Sequence, residues 1–156
     1  MSAVIERRGG VMMLMKDGDN SIRFISEGRP VAKARPRATR RGVVYTPKTT
    51  QVAEARIREA FFDAYGDHFK PLECPVGVSV DFYFSQPKGV SMKQKEAQAG
   101  KPRAKKPDVD NLIKTVLDAL NGVVWKDDNQ VVSIKARKIN SISKDYTEIR
   151  IEYGGY

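Results

Sequence analysis

Residues 106–130 read KPDVDNLIKTVLDALNGVVWKDDNQ and set two carboxylates, Asp108 and Asp110, two positions apart directly after Pro107. Lys114 follows one helical turn later, and a second acid pair, Asp127 and Asp128, comes after an Asn-Gly stop. Acids gathered without histidine or cysteine form a hard, all-oxygen donor set suited to a cation such as Mg²⁺. The chain holds one histidine, His68, and one cysteine, Cys74. Histidine-cluster metal sites, thiolate zinc sites and internal disulfides are therefore excluded.

These side chains can act together only if the fold gathers them. Val109, Leu112, Ile113, Val116, Leu117 and Leu120 recur at i, i+3, i+4, i+7, i+8 and i+11. That apolar stripe predicts an amphipathic helix over 108–121, stopped at Asn121-Gly122. With the stripe facing a core, Asp110, Lys114 and Asp118 line one flank. The helix from Asp110 to Asn121 is about 16 Å long at about 1.5 Å per residue. The seven steps to Asp128 can span about 23 Å at about 3.3 Å each. The returning chain can thus bring Asp127 or Asp128 back beside the helix's start. Plainer explanations exist for each residue. Asp108 can be an N-cap, Asp110 and Lys114 an i, i+4 ion pair, and 127–130 a polar turn. Asp118, two turns away, reads as a solvated position.

The elements around this helix predict a single α+β domain with a mixed β-sheet, two main helices packed on one face, and the order β-α-β-α-β-β. A short strand is expected over 22–26, then a basic loop or hairpin over 27–46. Thr46-Pro47 opens a helix, with Pro47 in its first turn, and Gly66 closes it. Residues 76–84 alternate as a strand, and 85–107 form a polar loop with one short helix. Residues 131–139 and 147–153 alternate, and 140–145 can join them as a hairpin. Residues 1–20 read as a peripheral extension to a domain over 21–156, and Met12, Met13 and Met15 leave room for a start downstream of Met1. Phe61, Phe62 and Phe69 are candidates for a subunit interface, with core as the commoner fate of such residues.

The 156 residues are 40% hydrophobic and 30% charged, as expected of a globular protein. The apolar run 11–15 is far too short to span a bilayer, so no membrane partner and a cytoplasmic location are expected. Net charge is +9, and its distribution is uneven. Residues 29–48 hold seven cations and no acid, and residues 86–106 hold seven cations against Glu96 alone. These two segments exceed the net charge of the whole chain, which is the electrostatic footprint of nucleic-acid binding. The first is rich in arginine, the better fork for phosphate.

The motif KPDVDNLIKTVLDALNG followed by VVWKDDNQVV closely resembles the signature of RusA-type Holliday junction resolvases, small endodeoxyribonucleases of bacteria and their phages. GRPVAKARPRATRRGVVYTP, residues 28–47, resembles that family's basic N-terminal segment. The resemblance extends over about residues 22–153. It implies a Mg²⁺-dependent homodimer, with Mn²⁺ as a substitute cation, that nicks two opposed strands of a four-way DNA junction. Asp108, Asp110 and Asp128 match the family's metal-binding acids, and Lys114 its active-site lysine. Asp127 adjoins the matched acid, and it and Asn111 are expected to support the ligands from behind. Lys33, Arg35, Arg37, Arg40 and Arg41 are expected to grip the DNA backbone. The competing expectations are a non-catalytic basic DNA-binding protein and a less selective Mg²⁺-dependent flap or RNA nuclease.

Overall fold

The computed structural model describes residues 20–155 and the backbone of two further strands, β1 (Ser2–Glu6) and β2 (Met12–Lys16), which pair antiparallel. The rest of the expected 1–20 extension, and the matter of a later start, lie outside the described residues. Along the chain follow β3 (Ser21–Glu27), a small hairpin of β4 (Arg37–Ala38) and β5 (Val44–Tyr45), and helix α1 (Lys48–Tyr65). Next come β6 (Val76–Ser85), the short helix α2 (Met92–Gln98) and α3 (Val109–Leu120). A 3-10 turn (Asp128–Gln130) leads into β7 (Val131–Ser141), and β8 (Tyr146–Tyr153) ends the fold. The predicted mixed sheet and order of main elements are present.

β3, β6, β7 and β8 form one sheet in the order β3-β8-β6-β7. β8 runs antiparallel to both neighbours, and β6 and β7 are parallel. Period-two alternation sends Val76, Val78, Val80, Phe82 and Phe84 of β6 to one face, all buried. Ile149 and Ile151 of β8 and Ile22 and Phe24 of β3 join them. Leu112, Val116 and Leu120 of α3 and Ile57 and Phe61 of α1 close the layer above. Each such side chain contributes about 1.5–3 kcal/mol on full burial, so this stripe is what fixes the rotation of α3. The opposite face of the sheet is polar, with Arg137 forking Asp81 at 2.8 and 2.7 Å.

Two expectations are corrected. β7 and β8 are not a hairpin, because β8 lies between β3 and β6. Its buried Thr147, Ile149 and Ile151 need neighbours on both sides, whereas β7 leaves Val132 and Ile134 exposed and tolerates an edge. Residues 142–145 instead cross the end of β6, where Ser85 N–H donates to Asp145 Oδ1 at 2.7 Å. Phe61 and Phe69 meet edge to face at 5.0 Å and Phe61 is 5.8 Å from Phe62; Phe61 is in the core and the other two pack against it, the commoner fate expected of such residues. Pro47 occupies the N-cap position of α1 rather than its first turn.

Candidate active site

The start of α3 is fixed from the sheet edge. Residues 100–103 run along the outside of β7, with Gly100 N–H donating to Asn140 O (2.8 Å) and Arg103 N–H to Lys138 O (2.9 Å). Lys138 Nζ then donates to the carbonyls of Lys105 (2.7 Å) and Pro107 (2.9 Å). Those contacts aim the chain into the helix and set Asp108 at its N-cap. The Asp108 backbone is extended, as a cap requires, yet its side chain makes no capping hydrogen bond. Asp110 lies in the first turn, and Lys114 one turn on. All three are exposed, and no side-chain hydrogen bond or ion pair engages them among the described residues. Neither the cap nor the i, i+4 pair accounts for them.

The second acid pair divides its work. Asp127 caps the 3-10 turn: its Oδ1 accepts from Asn129 N–H (3.0 Å), while Gln130 Oε1 accepts from Asp127 N–H (2.9 Å). Gln130 Nε2 also donates to Leu72 O (2.8 Å) and Cys74 O (3.0 Å), tying the turn to the body. Asp128 instead receives the indole N–H of Trp125 on Oδ1 at 2.9 Å. Trp125 is fully buried, so its ring is an immobile support for an exposed carboxylate. The box formed by Asp127 and Gln130 was legible as an acid three residues before a glutamine. The role of Trp125 was not.

The basic segment is rooted against the same helix. Lys33 N–H donates to Asn111 O (2.8 Å), one residue after Asp110, and Ala34 N–H to Thr50 Oγ1 (3.3 Å). Arg35, Arg37, Arg40 and Arg41 then continue outward, all exposed. Asn111 is half-buried and joins the two segments through its backbone. Lys33 differs from the arginines. Its Nζ bridges Glu54 Oε1 at 2.6 Å and Asp118 Oδ2 at 2.8 Å, so it ties α1 to α3, and Asp118 is paired rather than merely solvated. Burial pulls the Lys33 ammonium down, but hydrogen bonds to Asp118 and Glu54 outweigh it and hold its pKa above the ordinary 10.5. A raised folded-state pKa contributes stability that is fully present below the unfolded value and lost as pH climbs through the folded one. Lys33→Met should therefore cost about 1–2 kcal/mol at neutral pH, between the worth of exposed and buried pairs. Its deficit should shrink above pH 10.5. Melting curves at neutral and alkaline pH check this, and a deficit independent of pH contradicts it.

A further cationic pair was not anticipated individually. Arg29 and Arg103 both lie over the buried Phe84 ring, at 5.4 and 4.8 Å. Burial, then the Arg29 charge, pull the Arg103 guanidinium below its usual range. Arg29 is 3.7 Å from Asp145, whose carboxylate also serves Ser85. The two charge-rich segments seen in the sequence thus meet at one aromatic ring.

Among the described residues, no three histidine, cysteine, aspartate or glutamate side chains stand close enough to enclose a metal ion. Asp108, Asp110 and Asp128 are thus not gathered into one closed cluster. The fit to a divalent cation rests on donor chemistry: exposed carboxylate oxygens, with one oxygen of Asp128 steered by Trp125.

Exposed carboxylates beside an acid-free, arginine-rich hairpin offer hard donors for a cation and a grip for a polyanion, the two things a nuclease needs. A family model for endodeoxyribonuclease RusA matches residues 27–152, and the chain belongs to that family. It is a Holliday junction resolvase, an endodeoxyribonuclease acting on branched DNA, and nucleases of this family depend on a divalent metal. The chain is also 37% identical over 128 residues to an uncharacterized protein, YqaN, of Bacillus subtilis (strain 168), covering 77% of this chain and 88% of that one. No helix among the described residues is long and apolar enough to cross a membrane.

Proposed function

We propose that the enzyme is a Mg²⁺-dependent homodimer that resolves four-way junctions by paired symmetric nicks, in the cytoplasm of a bacterial or phage-infected cell. Asp108, Asp110 and Asp128 would hold the cation, with Mn²⁺ an acceptable substitute. The observation that carries this reading is that the α3 acids and Lys114 are exposed and unengaged while Trp125 orients Asp128. A cation held there would supply Lewis acidity and lower the pKa of a water. Lys114, on the same flank as Asp110, is placed to offer its ammonium to a phosphate oxygen and to stabilise charge that develops there. Asn111 supports from the side through its amide. Asp127 supports by holding the turn that presents Asp128. Arg35, Arg37, Arg40 and Arg41 grip the backbone of the junction arms, so binding falls steeply with salt. Two opposed nicks on a two-fold symmetric junction are most simply made by two copies of one site.

The test is incubation of the protein with labelled four-way junction, flap, duplex and RNA, with Mg²⁺, Mn²⁺ or EDTA. Symmetric nicking of the junction alone, abolished by EDTA, is the expected result. Equal cleavage of flaps or RNA points to a less selective nuclease. Binding without any metal-dependent product overturns the catalytic assignment for this chain.

A further inference from the structure

The hairpin of β4 and β5 carries an apolar edge that the grip on phosphates does not use. Val43, Val44 and Tyr45 are 61%, 67% and 46% exposed, in a protein whose Val76, Val78 and Val80 are buried to 1% or less. Three consecutive apolar residues left in water on a two-stranded ribbon have no core beneath them and call for a partner. The ribbon is nevertheless well built. Thr39 N–H donates to Val43 O (2.9 Å), Gly42 N–H to Thr39 O (2.9 Å), and Thr39 Oγ1 accepts from Val43 N–H (3.2 Å). Gly42 supplies the φ of +78° that the tip needs. One leg is rooted on α3 at Asn111 and the other on α1, where Gln51 Nε2 donates to Thr46 O (2.8 Å).

The partner's chemistry follows from the charges. Register sets Arg37 opposite Tyr45, and Arg35, Arg40 and Arg41 are exposed on the same segment, which has no acid between residues 29 and 48. A second copy of this ribbon would be repelled, whereas stacked bases flanked by phosphates suit it. Lys33 is bonded to the first turn of α3, and Thr39 is six steps further on, so at about 3.3 Å per step Thr39 lies within about 20 Å of Lys33 and the hairpin springs from the same helix as Asp108 and Asp110.

We infer that this hairpin is a wedge: Val43, Val44 and Tyr45 enter the point of strand exchange and unstack its bases, while the arginines hold the phosphates on either side. Apolar side chains inserted between base steps open and kink duplexes, and an aromatic ring offers a stacking surface to the freed base. The inference rests on the junction-resolving reading and deepens it, because it makes an opened centre the feature by which a junction is distinguished from linear duplex.

The test uses the full chain and a junction carrying 2-aminopurine beside the exchange point, whose fluorescence rises on unstacking. Wild type should raise it in EDTA. Val43→Ser, Val44→Ser and Tyr45→Ser combined should lose the rise while binding within about threefold of wild type, since the arginines remain. Cleavage of the paired junction should fall by about tenfold or more, and a junction with mismatched pairs at its centre should restore it, because unstacking is already done. Tyr45→Phe, which keeps the ring, should resemble wild type in every arm. An undiminished fluorescence rise in the triple variant, or cleavage of the opened junction as poor as that of the paired one, overturns the wedge. So does a change in sedimentation coefficient of the triple variant, which would make the patch a protein interface. If wild type cuts no junction in Mg²⁺ but still raises the fluorescence, the catalytic reading fails and the wedge stands.

Discussion

Asp110→Asn should bind four-way junctions and fail to cut them. The side chain is in the first turn of α3, exposed and unengaged, so the near-isosteric amide disturbs no packing or pairing seen in the structure. What it removes is one negative charge and one hard ligand. Loss of a cation ligand is expected to lower the single-turnover rate by at least about 10³-fold, about 4 kcal/mol of transition-state stabilisation. Binding should hold or tighten, because a carboxylate facing a phosphate is gone and every cation remains. Stability should fall by no more than about 0.3–1 kcal/mol, the worth of an acid near a helix N-terminus. Cleavage under single-turnover conditions, gel-shift titration and a melting curve separate the three quantities. A variant that nicks in Mg²⁺ at the wild-type rate removes Asp110 from the site. One that loses binding and cleavage together makes it a contact residue instead.

The features legible in the sequence were those written in local periods. The stripe from Leu112 to Leu120 and the alternation through β6 and β8 reappear as buried faces because each depends on a single element's geometry. Asp110 and Lys114 on the flank of α3 follow from that same rotation. The misread features depend on partners distant in the chain. A short connection over 140–145 between two alternating strands suggests a hairpin, but nothing in either strand says that β8 will enter the sheet beside β3, more than a hundred residues earlier. Lys33 looked like one more phosphate contact because Glu54 and Asp118, which hold it, are far away in sequence. Lys138, in a strand read only for its alternation, turns out to steer the entry to α3 through the carbonyls of Lys105 and Pro107. The exposed run at 43–45 was within reach of the sequence. Its significance depends on the absence of a layer beneath it, which only the fold supplies.

Whether Asp127 or Asp128 serves the chemistry is a matter of two neighbouring carboxylates with opposite structural duties, and substitution should separate them cleanly. Asp127→Ala deletes the cap of the 3-10 turn and should cost about 0.5–2 kcal/mol of stability, with cleavage within a few-fold of wild type while the protein stays folded. Asp128→Asn retains an oxygen for the Trp125 indole, so its melting point should hold while cleavage falls by at least about 10³-fold. Asp128→Ala should lose both, because the fully buried indole N–H is left unsatisfied at a cost of about 1–3 kcal/mol. Trp125→Phe keeps Asp128 but removes the donor that aims it. Its cleavage should drop by about 10–100-fold, the usual penalty for losing a group that orients a ligand. Melting curves and single-turnover rates on the four variants give a pattern that a purely structural turn cannot reproduce, since stability and cleavage move separately at the two positions. If Asp128→Asn cuts normally and Asp127→Ala does not, the register is reversed, and the indole contact is packing alone.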